Sequence, residues 1–95
     1  MTARPDPRPE MLAANREARI AEVTTGLRTV ALALGLPLTP DDRIGEVGLA
    51  TLIGYSAGGL KHARWEDRAP RCHRIGRRVF YYLSDVAAWI VDGEE

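Results

Sequence analysis

Apolar residues recur along this chain with two different periods, and the changes of period divide it into elements. Between residues 10 and 34 the positions Ile20, Val23, Leu27, Val30 and Leu34 are spaced three, four, three and four apart, which is one stripe of a helix. Ala13, Ala14, Ala18, Ala21, Ala31 and Ala33 add helix propensity to the same stretch. Pro9 and Glu10 suit the first turn, Gly35 followed by Pro37 suits the stop, and Thr24-Thr25-Gly26 is the weak point where a kink or break is expected. A linker, or an extended segment covering the core, follows over 35–43 with Leu36, Pro37, Leu38 and Pro40, and Asp41-Asp42 suits the cap of a turn.

The segment 45–53 is a short apolar helix carried by Val47, Leu49, Ala50, Leu52 and Ile53, with Gly48 inside it at a cost of up to ~1 kcal/mol. Gly54 suits a left-handed helix end and Ser56 suits the cap of the next helix, so two helices are joined by a turn of two to three residues. That next helix runs from Ala57 to about Glu66. Leu60 and Ala63 are expected to face inward, and Ala57, Gly58, Lys61, His62 and Arg64 outward. The pair Gly58-Gly59 reads either as close approach of a partner's backbone or as a loose first turn, and Trp65 is expected to pack in the core against the segment that follows.

That segment, 71–82, changes to strand character: Val79, Tyr81 and Leu83 alternate with Phe80 and Tyr82, and Gly76 marks the tip of a hairpin. The last element is a helix with Ser84 as its cap, Asp85 in its first turn and an apolar face of Val86, Trp89 and Ile90, Trp89 being its core anchor.

Ninety-five residues make one domain of modest core, so the expected organisation is a flexible leader over 1–9, a helix and linker over 10–42, and the remaining elements over 43–95. The stripe of the first helix serves equally well as a dimer seam or for packing within its own domain. Formal net charge is zero, but the charges are segregated. From Lys61 to Arg78 there are seven positive residues (Lys61, Arg64, Arg68, Arg71, Arg74, Arg77, Arg78) against Glu66 and Asp67, a local balance of +5. Such a cluster is the footprint expected of a phosphate-binding face, the plainer reading being a solvated arginine surface. The lone Cys72 allows no disulfide within the chain and suits a reducing cytoplasm. Neither histidine stands in a spacing that builds a zinc site, no apolar run approaches the ~20 residues that span a bilayer, and the proline-rich start lacks the apolar stretch of a secretory signal. Catalytic orderings, phosphate-binding glycine loops and metal-ligand sets are likewise not found, so neither an enzyme nor a cofactor is expected.

The ordered set Gly54, Ser56, Leu60, Pro70, Arg74-Ile75-Gly76-Arg77-Arg78-Val79, Tyr81, Asp85-Val86 and Trp89-Ile90 resembles the excisionase-like, AlpA-type branch of the MerR winged-helix superfamily. The resemblance covers about half the chain, 43–90, and leaves the first helix outside it. It implies a mainly α fold with a small β-hairpin, a winged helix-turn-helix with an added N-terminal helix. It also implies a recognition helix that brings Lys61, His62 and Arg64 to the major groove, and a wing that sets Arg74, Arg77 and Arg78 on phosphates or in the minor groove. Ser56, Ala57, Gly58 and Arg71 complete the expected DNA-binding set. Three positions depart from the family: Gly59 replaces a common Thr, Ala63 a common Trp and Asp67 a common Gly, with Trp65 supplying the missing bulk from a shifted position.

The function implied is that of a small sequence-specific double-stranded-DNA-binding protein, a regulator or architectural factor of a phage, plasmid or prophage in the bacterial cytoplasm. Its expected protein partners are an integrase or RNA polymerase. The alternatives are a small-terminase-type packaging protein whose partner is a large terminase subunit, and a protein-interaction module that has lost DNA binding. A homodimer or oligomer through residues 10–34 fits any of these.

Overall fold

Pro9–Ala33 forms one helix, α1, continuous through Thr24, Thr25 and Gly26 in a computed structural model that describes residues 9–94. The leader expected over 1–9 lies outside the described residues except for Pro9, which opens the helix. At its weak point the Thr24 and Thr25 hydroxyls donate to the carbonyls of Ile20 and Ala21, at 2.7 and 3.1 Å, rather than leading the chain out of the helix. Gly26 costs about 1 kcal/mol, which tertiary packing of the helix offsets. Past Ala33 the chain turns at Gly35, and the Leu36 amide donates back to the Ala31 carbonyl at 2.9 Å.

The stripe of α1 turns inward, against the last helix, α4 (Leu83–Gly93). Ala31 is fully buried, Ile20, Val23 and Leu27 are half-buried, and Val30 and Leu34 at the end of the stripe stay exposed. A 3.6-residue helix drifts away from a strict three-four stripe, so the line of contact passes from Leu27 to Ala31. Arg16 spans both carboxylate oxygens of Asp92 at 2.8 Å, and Arg19 reaches Glu94 at 3.0 Å, fastening the far end of the pair.

The sheet has three strands where a two-stranded hairpin was expected. β1 (Arg43–Gly45), β2 (His73–Ile75) and β3 (Arg78–Tyr82) stand in the order β1-β3-β2, all antiparallel. Arg43 pairs with Tyr82 and Gly45 with Phe80, while His73 pairs with Phe80 and Ile75 with Arg78. Three residues are too few to show an alternation, so β1 reads as linker in the sequence. Its central Ile44 is fully buried, and the linker contributes a bridge from Leu38 to Ile44.

α2 (Glu46–Ile53) and α3 (Ala57–Trp65) follow the expected pattern. Gly54 closes α2 in the left-handed region at φ 78°, a conformation that a Cβ disfavours. The Ser56 hydroxyl caps α3 by accepting from the Gly59 amide at 2.9 Å. Ser84, by contrast, is not the cap of α4. The helix starts two residues earlier, at Leu83 with Tyr82 at the cap position, and the Leu83 amide is held by the Asp42 carbonyl at 2.9 Å.

Ile44, Leu49, Ala50, Leu60, Tyr81, Leu83 and Val86 form the core, one contribution or more from each of β1, α2, α3, β3 and α4. Trp89 is half-buried at its edge, donating Nε1–H to the Arg68 carbonyl at 3.1 Å and meeting Tyr55 edge-on. No helix of the described residues is long and apolar enough to cross a membrane.

Candidate nucleic-acid interface

Leu60 fixes the orientation of α3. Once it is buried, helical geometry puts Ala63 and Arg64 on the inner side and Lys61, His62 and Trp65 on the outer. Ala63 is buried, as expected. Arg64 is corrected from outward to inward: only 14% of its side chain is exposed, and its Nε donates to the Glu46 carboxylate at 2.9 Å. Trp65 is corrected in the opposite sense, from core to surface, at 69% exposure. The same i, i+4 arithmetic from Leu60 and Lys61 would have placed both.

Glu46 is the hub of a clamp. It accepts from Arg64 and from the Tyr81 hydroxyl, both at 2.9 Å, and so ties α2, α3 and β3 together. Burial pushes its carboxyl up, but the hydrogen bonds of Arg64 and Tyr81 and the charges of Arg64 and Lys61 outweigh that and hold it below the ordinary carboxylate range. Burial, and then the Glu46 carboxylate, raise the Tyr81 phenol. Arg64 is raised by its bond to Glu46. These residues are distant in sequence, so no spacing announced the cluster.

Arg64 and Glu46 form part of the lining of a groove of about 990 Å³ bounded by the linker, β1, α2, α3 and the β2–β3 hairpin. Leu36, Pro37, Leu38, Val47, Val79 and Phe80 give it apolar walls, Trp65 stands within it, and Arg43, Lys61, Arg74, Arg77 and Arg78 complete its cationic lining. The hairpin presents Arg74, Arg77 and Arg78 around a tip where Gly76 takes φ 64°. A non-glycine residue is disfavoured there, and the two-residue turn directs Arg77 and Arg78 to solvent.

Of the expected site residues, Lys61, Arg64, Arg74, Arg77 and Arg78 meet at this groove. Ser56, Gly58, His62 and Arg71 are exposed but do not line it, and the Ala57 side chain lies outside the described residues. His62 pairs instead with Glu66. Val47, Trp65, Arg43 and Phe80 join the groove without having been singled out as site residues. Arg43 owes its place to β1, which lays it across Phe80 and Tyr82 at 5.8 and 5.6 Å.

The ion pairs divide the cations into two sets. Arg16, Arg19, Arg28, Arg43, Arg64 and Arg68 each bond a carboxylate. Among the described residues Lys61, Arg71, Arg74, Arg77 and Arg78 have no such partner, and all five lie on α3, the hairpin or the approach to it. The acids that make the formal charge zero are largely consumed elsewhere, so this face keeps an uncompensated positive field.

Asp67 adopts φ 56° just after α3, and the Arg68 amide donates to the Ala63 carbonyl at 2.8 Å. Aspartate tolerates the left-handed region better than most residues, which suits it to this position. Comparison of the chain with family models, with curated proteins and with solved structures finds no match.

Proposed function

We propose that the protein is a small double-stranded-DNA-binding protein of winged helix-turn-helix type, with α2 and α3 as the helix pair and the β2–β3 hairpin as the wing. The observation that carries the reading is the set of unpaired cations, Lys61, Arg71, Arg74, Arg77 and Arg78, in a chain whose other described arginines are each matched by an acid. Clustered guanidinium groups repel one another, and a neighbouring phosphate backbone relieves that repulsion while releasing counterions. Within this reading Lys61 on the outer face of α3 meets base edges, Arg74, Arg77 and Arg78 hold the backbone, and Arg64 positions α3 through Glu46 without touching DNA. The role we read for this face is that of an excisionase-like regulator or architectural factor, acting by bending or marking DNA for a larger recombination or transcription complex.

Binding to a genomic DNA pool, followed by gel shift across a salt series, tests it. The expected result is binding that weakens steeply with salt and enriches discrete sites. Arg77→Ala and Arg78→Ala should each weaken binding to every sequence and flatten the slope of log K against log salt by roughly 0.9 for each phosphate no longer neutralised. Lys61→Ala should shift the enriched sites. Absence of even micromolar-order binding at low salt would overturn the proposal.

A further inference from the structure

Trp65 is the large side chain that the duplex reading leaves unused. It ends α3 at 69% exposure and lines the groove, as does Val47, which is 71% exposed. The Lys61 ammonium lies 5.2 Å from the centre of its ring, a cation–π contact that occupies one face of the indole. Core packing does not account for it, because α3 buries Leu60 and Ala63 instead. Phosphate binding does not account for it either, since that needs only cations. An intact duplex offers no base face for the ring to stack on: its bases are stacked on one another and show only their edges and thymine methyls. An indole among unpaired cations is the chemistry that holds a base out of the stack, with the ring on the base and guanidinium groups on its phosphate. A groove of about 990 Å³ has room for a nucleotide, small-ligand sites running to roughly 300–1,000 Å³.

We infer that the groove takes an unstacked nucleobase together with its phosphate, the base stacking on Trp65 and the phosphate lying on Arg74, Arg77 and Arg78. The inference rests on the nucleic-acid reading of this face and narrows it to a substrate class. The base belongs either to a DNA strand at an end, gap or bulge, or to a free nucleotide, and the two sources are separable.

The test uses the full chain and three probes: a blunt duplex, the same duplex with a single-stranded gap, and a free deoxynucleoside monophosphate. Anisotropy of labelled DNA gives affinity, and tryptophan fluorescence reports stacking. The gapped duplex is expected to bind about tenfold more tightly than the blunt one and to quench fluorescence, as one stacked base would give. Trp65→Leu should collapse the gapped-to-blunt ratio toward one and remove the quench, whereas Trp65→Phe should retain most of the ratio. Trp65 is exposed, so neither variant threatens folding. Quenching by the monophosphate, lost in Trp65→Leu and without any preference for the gap, would support the same chemistry with a free nucleotide as its source. Equal binding of both duplexes without a Trp65-dependent quench, while Arg77→Ala still weakens the blunt duplex, would overturn the inference and leave the DNA-binding proposal standing. Failure of the wild-type chain to bind any probe at low salt would overturn both.

Discussion

The two adjacent glycines at the start of α3 have different reasons for being there. A Cβ on Gly59 would sit 2.8 Å from the Ser56 hydroxyl oxygen, the atom that caps the helix through the Gly59 amide, whereas a Cβ on Gly58 would meet nothing within 4 Å. Gly59→Ala is therefore expected to disturb the cap and lower stability by about 1 kcal/mol, while Gly58→Ala should raise it by roughly 0.5–1 kcal/mol, both read from urea midpoints. If α3 approaches a DNA backbone at Gly58, the stabilised Gly58→Ala protein will also bind DNA less tightly. Gly48 has a third reason. Its Cβ would lie 3.0 Å from Cγ1 of Ile44, which is fully buried and has little freedom to give way.

Elements in this fold are joined by a few polar ties over a small core, and the ties differ in worth. The clamp of Glu46, Arg64 and Tyr81 joins α2, α3 and β3 in a setting where Glu46 and Arg64 are only 19% and 14% exposed. The Glu46 carboxyl is held below its ordinary value in the folded chain. Its contribution is thus complete above the unfolded carboxylate pKa of about 4.3 and is lost as pH falls through the lowered folded value. The wild type should lose urea resistance on acidification from about pH 5 to about pH 3. Glu46→Gln should start about 1–2 kcal/mol less stable at neutral pH and lose less over the same acid range. The α1–α4 pair rests on apolar packing instead. Leu27, half-buried against the core, should cost about 1–2 kcal/mol when changed to Ala, whereas Arg16→Ala, which breaks an exposed pair with Asp92, should leave the melting temperature nearly unchanged.

For the molecule as a whole, neutrality conceals a polarity of charge. Formal net charge is zero, yet acids pair with the arginines of α1, β1 and the α3 floor while the hairpin arginines stay open. A protein neutral on average should therefore still be retained by a heparin column at pH 7 and low salt. The double variant Arg77→Ala/Arg78→Ala should elute much earlier although its stability is unchanged. Retention that survives the double change would place the positive field elsewhere.

Helix α1, the α2–turn–α3 unit, the hairpin tip at Gly76 and the inward Leu60 and Ala63 were legible along the chain. Each is dictated by residues within one turn or one hairpin of each other: a three-four stripe, a cap, or a position that tolerates positive φ. The basic cluster was legible too, since it is contiguous. β1, the start of α4, the neutralisation of Arg64 and the groove itself came from the meeting of distant segments. Ile44 becomes a strand residue because β3 is there to pair with it. Leu83 begins a helix because Asp42 holds its amide. Arg64 is neutralised because Glu46, eighteen residues earlier, offers a carboxylate at 2.9 Å and the Tyr81 hydroxyl completes the site. Local stereochemistry settles where helices and turns form; which cations are neutralised and which remain open depends on what the folded chain brings within hydrogen-bonding distance.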